Sequence, residues 1–83
     1  MRILHTIAVL TAALAVTACM SKEKSHFVGE CVNSGRAVSS CECTFDKLTD
    51  KYGTREFMLN TYGDNTTDEF RADARRVVQE CKN

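Results

Sequence analysis

The stretch Ser39 to Gly53, SSCECTFDKLTDKYG, decides how the chain folds. Ser39 and Glu42 stand at S-x-x-E spacing, the capping-box form in which a hydroxyl and a carboxylate satisfy amides that the first helical turn leaves unpaired. A helix is expected to begin there. Cys41, Phe45, Leu48 and Tyr52 recur at intervals of three and four residues and form one apolar stripe. Glu42, Asp46, Lys47, Asp50 and Lys51 fill the remaining surface, and Gly53 is placed to end the helix in a left-handed cap. At about 100° per residue, Cys43 is turned roughly 200° from Cys41 and flanks the helix on its other side. A helix carrying thiols on two sides can be tied to two neighbours.

The flanking segments read the same way. From His26 on, Phe27, Val28, Cys31 and Val32 make the inner face of a short helix that stops near Asn33-Ser34-Gly35. Beyond Gly53, Thr54 is positioned to cap a third helix through Phe57, Met58 and Leu59 to Tyr62, closed by Gly63. Thr66-Thr67-Asp68-Glu69 repeats the capping-box form and opens a segment with Phe70, Ala74, Val77, Val78 and Cys81 on one side. Its other side carries Asp68, Arg71, Asp73, Arg75, Arg76 and Glu80. Acids lead and bases follow, which suits the helix dipole, and Arg76 with Glu80 sits at i,i+4. No period-two alternation accompanies this pattern. The expectation is an all-α domain over residues 26–83: a small disulfide-stapled bundle of three to four short helices, with no internal repeat.

What precedes the domain has a different character. Met1 to Ala18 reads MRILHTIAVLTAALAVTA, one positive charge at Arg2 and then an apolar run broken only by His5, Thr6 and Thr11. That run, about 14 residues long, is short of the roughly 20 a membrane-spanning helix needs, and it ends in small residues as a cleaved signal peptide does. Residues 1–18 are therefore expected to be a signal helix that is removed. The exit Val16-Thr17-Ala18-Cys19 resembles the lipobox of bacterial lipoproteins. The resemblance implies that Cys19 is lipidated, that cleavage falls before it, and that acyl chains such as palmitate hold the mature protein to a membrane. Several acyl chains make release negligible, where one binds only marginally. Met20 follows the cysteine in place of an inner-membrane retention Asp, so the resemblance favours the periplasmic face of a bacterial outer membrane. Residues 19–25 then form the lipidated cysteine and a polar tether, whose six residues Met20 to Ser25 could reach roughly 20 Å when extended.

The 83-residue chain has 11 basic and 11 acidic side chains, 43% hydrophobic residues, five cysteines and no proline. Charge balance argues against nucleic acid as a partner, since phosphate neutralisation needs a surplus of Lys and Arg on one face. Removing residues 1–18 leaves a smaller and more polar domain that buries too little apolar surface to be secure without staples. Four cysteines remain beside Cys19, an even number for an oxidising compartment. Two structural disulfides are the expectation. Of the three connectivities, Cys41 with Cys81 and Cys31 with Cys43 is preferred, Cys31 with Cys41 and Cys43 with Cys81 follows closely, and a bridge between Cys41 and Cys43 comes last.

Other chemistry competes for the same residues. The Cys41-x-Cys43 pair could serve a thiol-redox or metal-handling protein, but it lacks the paired C-x2-C knuckles of zinc sites and the C-x-x-C of thioredoxin-like sites. His26 has no partner at ligand spacing, so neither a metal nor any other cofactor is expected. Glu42, Asp46 and Asp50 recur along one helix face, yet the interleaved Lys47 and Lys51 make a solvated surface the simpler reading. Asp64, Asn65 and Asp68 read as turn and capping chemistry rather than a calcium loop. Arg71, Arg75 and Arg76 are balanced by Asp68, Glu69, Asp73 and Glu80. No nucleophile with a base, paired acid or phosphate loop is assembled, so the expected role is non-enzymatic: an anchored accessory or protein-interaction module with an envelope protein as partner.

Cys31, Cys41-Glu42-Cys43, Asp46-Lys47-Leu48, Lys51-Tyr52 and Cys81 together resemble small exported cysteine-rich helical proteins that share a lone cysteine, a C-x-C and a late cysteine. That resemblance implies a disulfide-tied helical domain and carries over no catalytic residue.

Overall fold

Serine, threonine and glycine punctuation divides the described residues into four helices. The computed structural model describes residues 20–82, so the signal-like segment and Cys19 lie outside it. Helix α1 runs Lys22–Asn33, α2 Val38–Tyr52, α3 Thr54–Tyr62 and α4 Asp68–Glu80, and no strand occurs among the described residues. None of these helices is long and apolar enough to cross a membrane.

Each boundary has a local cause, and several differ from the sequence expectation by a residue or more. Ser21 caps α1 by accepting a hydrogen bond from the Lys24 amide at 3.1 Å. Most of the expected tether is therefore the first turn of α1. Lys24 Nζ lies 3.0 Å from Asp46 of α2, which fixes that turn to the bundle. The α2 N-cap is Ala37, which makes no side-chain cap, so the Ser39–Glu42 capping box does not form. The four-residue connection 34–37 carries the chain into α2 two residues early, and Ser39 is already inside the helix. For α4 the cap is Thr67, whose hydroxyl accepts from the Phe70 amide, one residue later than the repeated motif suggests.

Gly53 closes α2 and opens α3 at once. Its φ of 82° and ψ of 155° lie in a region that residues with a Cβ essentially do not adopt, so the sharp joint between the two helices requires glycine. The torsion differs from a left-handed helical cap in ψ, since the chain must extend there before turning into α3. Gly63 ends α3 for a different reason: a Cβ at this position would collide with the Leu59 carbonyl oxygen.

Each helix contributes one phenylalanine to the core: Phe27, Phe45, Phe57 and Phe70. Phe57, 1% exposed, sits at the centre, with ring centroids 5.1 Å from Phe27, 5.1 Å from Phe45 and 6.1 Å from Phe70, all close to edge-to-face. Tyr52 extends the array, 5.2 Å from Phe70. Aromatic contacts of this kind add about 0.5–1.5 kcal/mol beyond area burial. Leu48, Val77 and Cys81 complete the buried cluster. Helix α2 is the hub, and the principal interfaces are those it makes with each of the other three. The expected stripes hold in part: Cys41, Phe45 and Leu48 are buried, Tyr52 is half-buried, and Val32 and Leu59 face solvent.

Candidate functional site

Four cysteines and one cleft carry the chemistry of the described residues. Cys31 is bonded to Cys41 and Cys43 to Cys81, with Cα atoms 5.9 and 5.7 Å apart. This corrects the preferred pairing of Cys41 with Cys81 and Cys31 with Cys43. The angular argument rightly ties α2 to two neighbours but ignores height along the helix axis. α1 and α2 form an antiparallel hairpin across residues 34–37, in which residues equally far from the turn face each other. Cys31 and Cys41 meet that condition to within one residue, whereas Cys43 stands about 3 Å further along at 1.5 Å per residue. It is left to meet Cys81 just past the end of α4.

Cys41 and Cys43 therefore belong to different bridges, each reaching a different helix. The carboxylates singled out along α2 are not gathered. Asp46 is engaged with Lys24, while the Asp50 side chain faces solvent. Asp68 pairs with Arg71 at 3.1 Å. Among the described residues no three His, Cys, Asp or Glu side chains converge as metal ligands do.

The polar groups that do converge join α2 to α4. Asp73 accepts from Lys51 Nζ at 2.6 Å, from the Tyr52 hydroxyl and from Arg76 at 3.1 Å. Those three donors, Lys51 foremost, hold its carboxyl far below the usual carboxylate range. The same hydrogen bond raises the Tyr52 phenol to about 12. Glu80, lowered by Arg76 and then by Lys47, closes the network at 2.9 and 3.3 Å respectively. A second, smaller cluster joins α1 to α3. His26 Nε2 lies 3.4 Å from Glu30, the His26 ring packs 5.2 Å from Tyr62, and burial followed by a hydrogen bond to Glu30 raises the Tyr62 phenol to about 12. Both clusters join neighbouring helices.

Between α1 and α4, floored by α2 and closed at one end by α3, lies a cleft of about 400 Å³. It exists because α1 and α4 both pack on α2 rather than on each other. Phe27, Leu48, Phe57 and Phe70 form its apolar wall. Arg36, Arg71 and Arg75 stand around it, and no acidic side chain lines it. Asn60 and Thr66 line the end nearest α3.

Two of these residues were not anticipated. Arg36 lies in the α1–α2 connection, where no periodicity points to it; its guanidinium reaches Thr44 Oγ1 at 3.4 Å and Cys31 Sγ at 3.6 Å. Asn60 is buried and clasps α3 to the start of α4. Its side chain donates to the Glu56 carbonyl at 2.9 Å and accepts from the Thr67 amide at 3.1 Å, while its carbonyl accepts from the Thr66 hydroxyl at 2.6 Å. A polar residue three positions after Phe57, in the buried register, is the signal that could have found it.

Comparison of the chain with protein families, with curated proteins and with solved structures gives no match.

Proposed function

We propose that the protein is a bacterial envelope lipoprotein, anchored through acylated Cys19 and acting without catalysis as an accessory module that contacts an envelope protein. The observation that carries this reading is the succession of Val16-Thr17-Ala18-Cys19 by a domain tied with two disulfides. Disulfides persist in exported proteins and are rare in the reducing cytosol, so anchor and domain point to the same compartment. Helix α1 begins at Lys22, three residues after the proposed lipid attachment, which would hold the bundle against the membrane surface. On this reading the outer membrane is its site, because no retention Asp follows Cys19.

Cys19→Ser tests the anchor. Lipid attachment and cleavage should both stop, and the chain should leave the membrane fraction or remain there only as the uncleaved precursor. A variant that is processed normally and stays membrane-bound would overturn the proposal. Thiol titration of protein taken directly from the envelope should find Cys31, Cys41, Cys43 and Cys81 fully oxidised. Two titratable thiols at Cys41 and Cys43 would instead favour thiol-redox or metal handling.

A further inference from the structure

We propose that the cleft between α1 and α4 binds a single-chain amphiphile with an anionic head, its apolar tail against Phe27, Ala74 and Val78 and its head among Arg36, Arg71 and Arg75. The inference goes beyond the anchoring proposal and does not depend on it.

The cleft's volume, about 400 Å³, lies within the range of small-ligand sites, and such sites combine an apolar wall with a few convergent polar groups. Leu48, Phe57 and Phe70 are core side chains that back the wall, and the half-buried Phe27, Ala74 and Val78 present its accessible apolar surface. What distinguishes the cleft is its charge. Elsewhere on the bundle Lys24, Lys47, Lys51 and Arg76 each close on a carboxylate. Lys22 and Arg55 make no ion pair among the described residues, but at the cleft three arginines border an apolar wall with no acidic lining. Arg36 is half-buried and donates only to neutral acceptors, Thr44 Oγ1 and Cys31 Sγ. Arg75 makes no ion pair among the described residues, and Arg71 holds only Asp68, whose side chain is 99% exposed. An exposed pair of that kind is weak and exchanges readily for a better-placed anion.

A guanidinium half-withdrawn from water without a counter-charge is unfavourable, and a ligand carboxylate or phosphate would supply one through charge-assisted hydrogen bonds. Arg71 and Arg75 lie one turn apart on α4, on the same side of the helix, so two guanidiniums can address one head group. Phe70 and Ala74, each adjacent in sequence to one of these arginines, line the same cleft, and Ala74 would meet the tail.

The test uses the full chain in a neutral detergent held constant across all arms. Three photoreactive probes share one diazirine-bearing alkyl chain and differ in head: a carboxylate, a phosphodiester and an uncharged alcohol. Peptide mapping after irradiation should place the label from the anionic probes on the segments containing Phe27 and Phe70–Val78, with the alcohol labelling them far less. Whichever anionic head labels more strongly tells a fatty acid from a lysophospholipid source. Arg36→Gln and Arg75→Gln should each weaken labelling about tenfold, the effect of losing one charge-assisted contact. Arg36 touches a disulfide and could disturb folding when changed, whereas Arg75 is exposed and makes no ion pair, so the second variant keeps the test decisive. Equal labelling by alcohol and acid, label spread over the outer faces of the helices, or label at the cleft that Arg75→Gln leaves unchanged would overturn the proposal. So would a cleft that stays unlabelled while the same residues crosslink to another polypeptide.

Discussion

Helix α2 meets α1 on one side and α4 on the other, and the two junctions hold by different means. Toward α1 the chain turns back through four residues, the bridged cysteines are 10 apart in sequence, and the cross-helix ion pair is Lys24 with Asp46. Toward α4 the bridged cysteines are 38 apart, and Lys47, Lys51 and Tyr52 reach Glu80 and Asp73. The difference has a physical logic. A short hairpin returns α1 to its neighbour at little cost in loop entropy, whereas α4 arrives only after α3 has intervened and must be held by links that connectivity does not supply.

The largest effects should follow from removing the bridges. In the chain-entropy picture, replacing Cys43 and Cys81 together with Ser costs about 4 kcal/mol, and replacing Cys31 and Cys41 together costs about 3 kcal/mol. A domain this small has stability of the same order, so the first variant should be largely unfolded at 37 °C and the second partly folded. Denaturant unfolding followed by circular dichroism reads both. The contrast between the junctions breaks if the short-range bridge proves the more costly one to lose.

The α2–α3 joint has neither a bridge nor a cross-helix ion pair among the described residues, and it rests on one backbone conformation and the packing of Phe57. Gly53→Ala should therefore cost about 1–3 kcal/mol through torsional strain alone, since open space surrounds the position and no clash contributes. A loss near zero in the unfolding midpoint would show that the joint can rotate away from its φ of 82° without consequence.

This asymmetry explains which features were legible in the sequence. The four helices, their order and most of the buried stripe follow from spacing alone, because the period of apolar residues reports directly which face is buried. Gly53 was legible as the end of α2 from local turn chemistry, but its extended ψ of 155° in place of a left-handed cap was not, because it depends on how α3 leaves the joint. The cysteine pairing was not, because it depends on how far each thiol stands from the α1–α2 turn, a relation between elements that angular position on one helix does not contain. The Ser39 capping box failed similarly: the motif is present, but tertiary tethering of Cys41 to Cys31 accompanies a helix that starts earlier. Arg36 and the cleft lay further out of reach. They depend on the failure of α1 and α4 to pack together, which no single stretch records.

A smaller and more specific contrast lies in pH. The Asp73 carboxyl is held far below its ordinary value of about 4, so the stability it contributes is complete above pH 4 and is lost as pH falls below that toward its folded pKa. The Tyr52 phenol, raised from about 10 to about 12, behaves in the opposite sense: its contribution is complete below pH 10 and is lost as pH rises through 12. The α2–α4 junction thus weakens at both extremes. The α1–α3 contact through Tyr62, also raised to about 12, weakens on the alkaline side. Tyr52→Phe should flatten part of the alkaline loss in melting temperature, and Asp73→Asn should flatten part of the acid loss while also removing the Tyr52 partner. An unaltered acid limb in Asp73→Asn would mean that the network adds nothing to the bridge beside it.

The smallest effect expected is a gain. Gly29 lies inside α1, exposed, with helical torsions and open space where a Cβ would stand. Gly29→Ala should stabilise the protein by about 0.5–1 kcal/mol, by restricting the unfolded chain and removing the entropic cost of glycine in a helix. The gain appears in global unfolding only if α1 unfolds together with the rest, and its docking depends on the bridge from Cys31 to Cys41. Made again in the variant lacking that bridge, the substitution separates two cases. A preserved gain shows that the hairpin and the Lys24–Asp46 pair suffice to keep α1 in the cooperative unit. A vanished gain shows that α1 frays on its own once the bridge is gone, so that the short-range disulfide holds a helix in place while the long-range one holds the fold together.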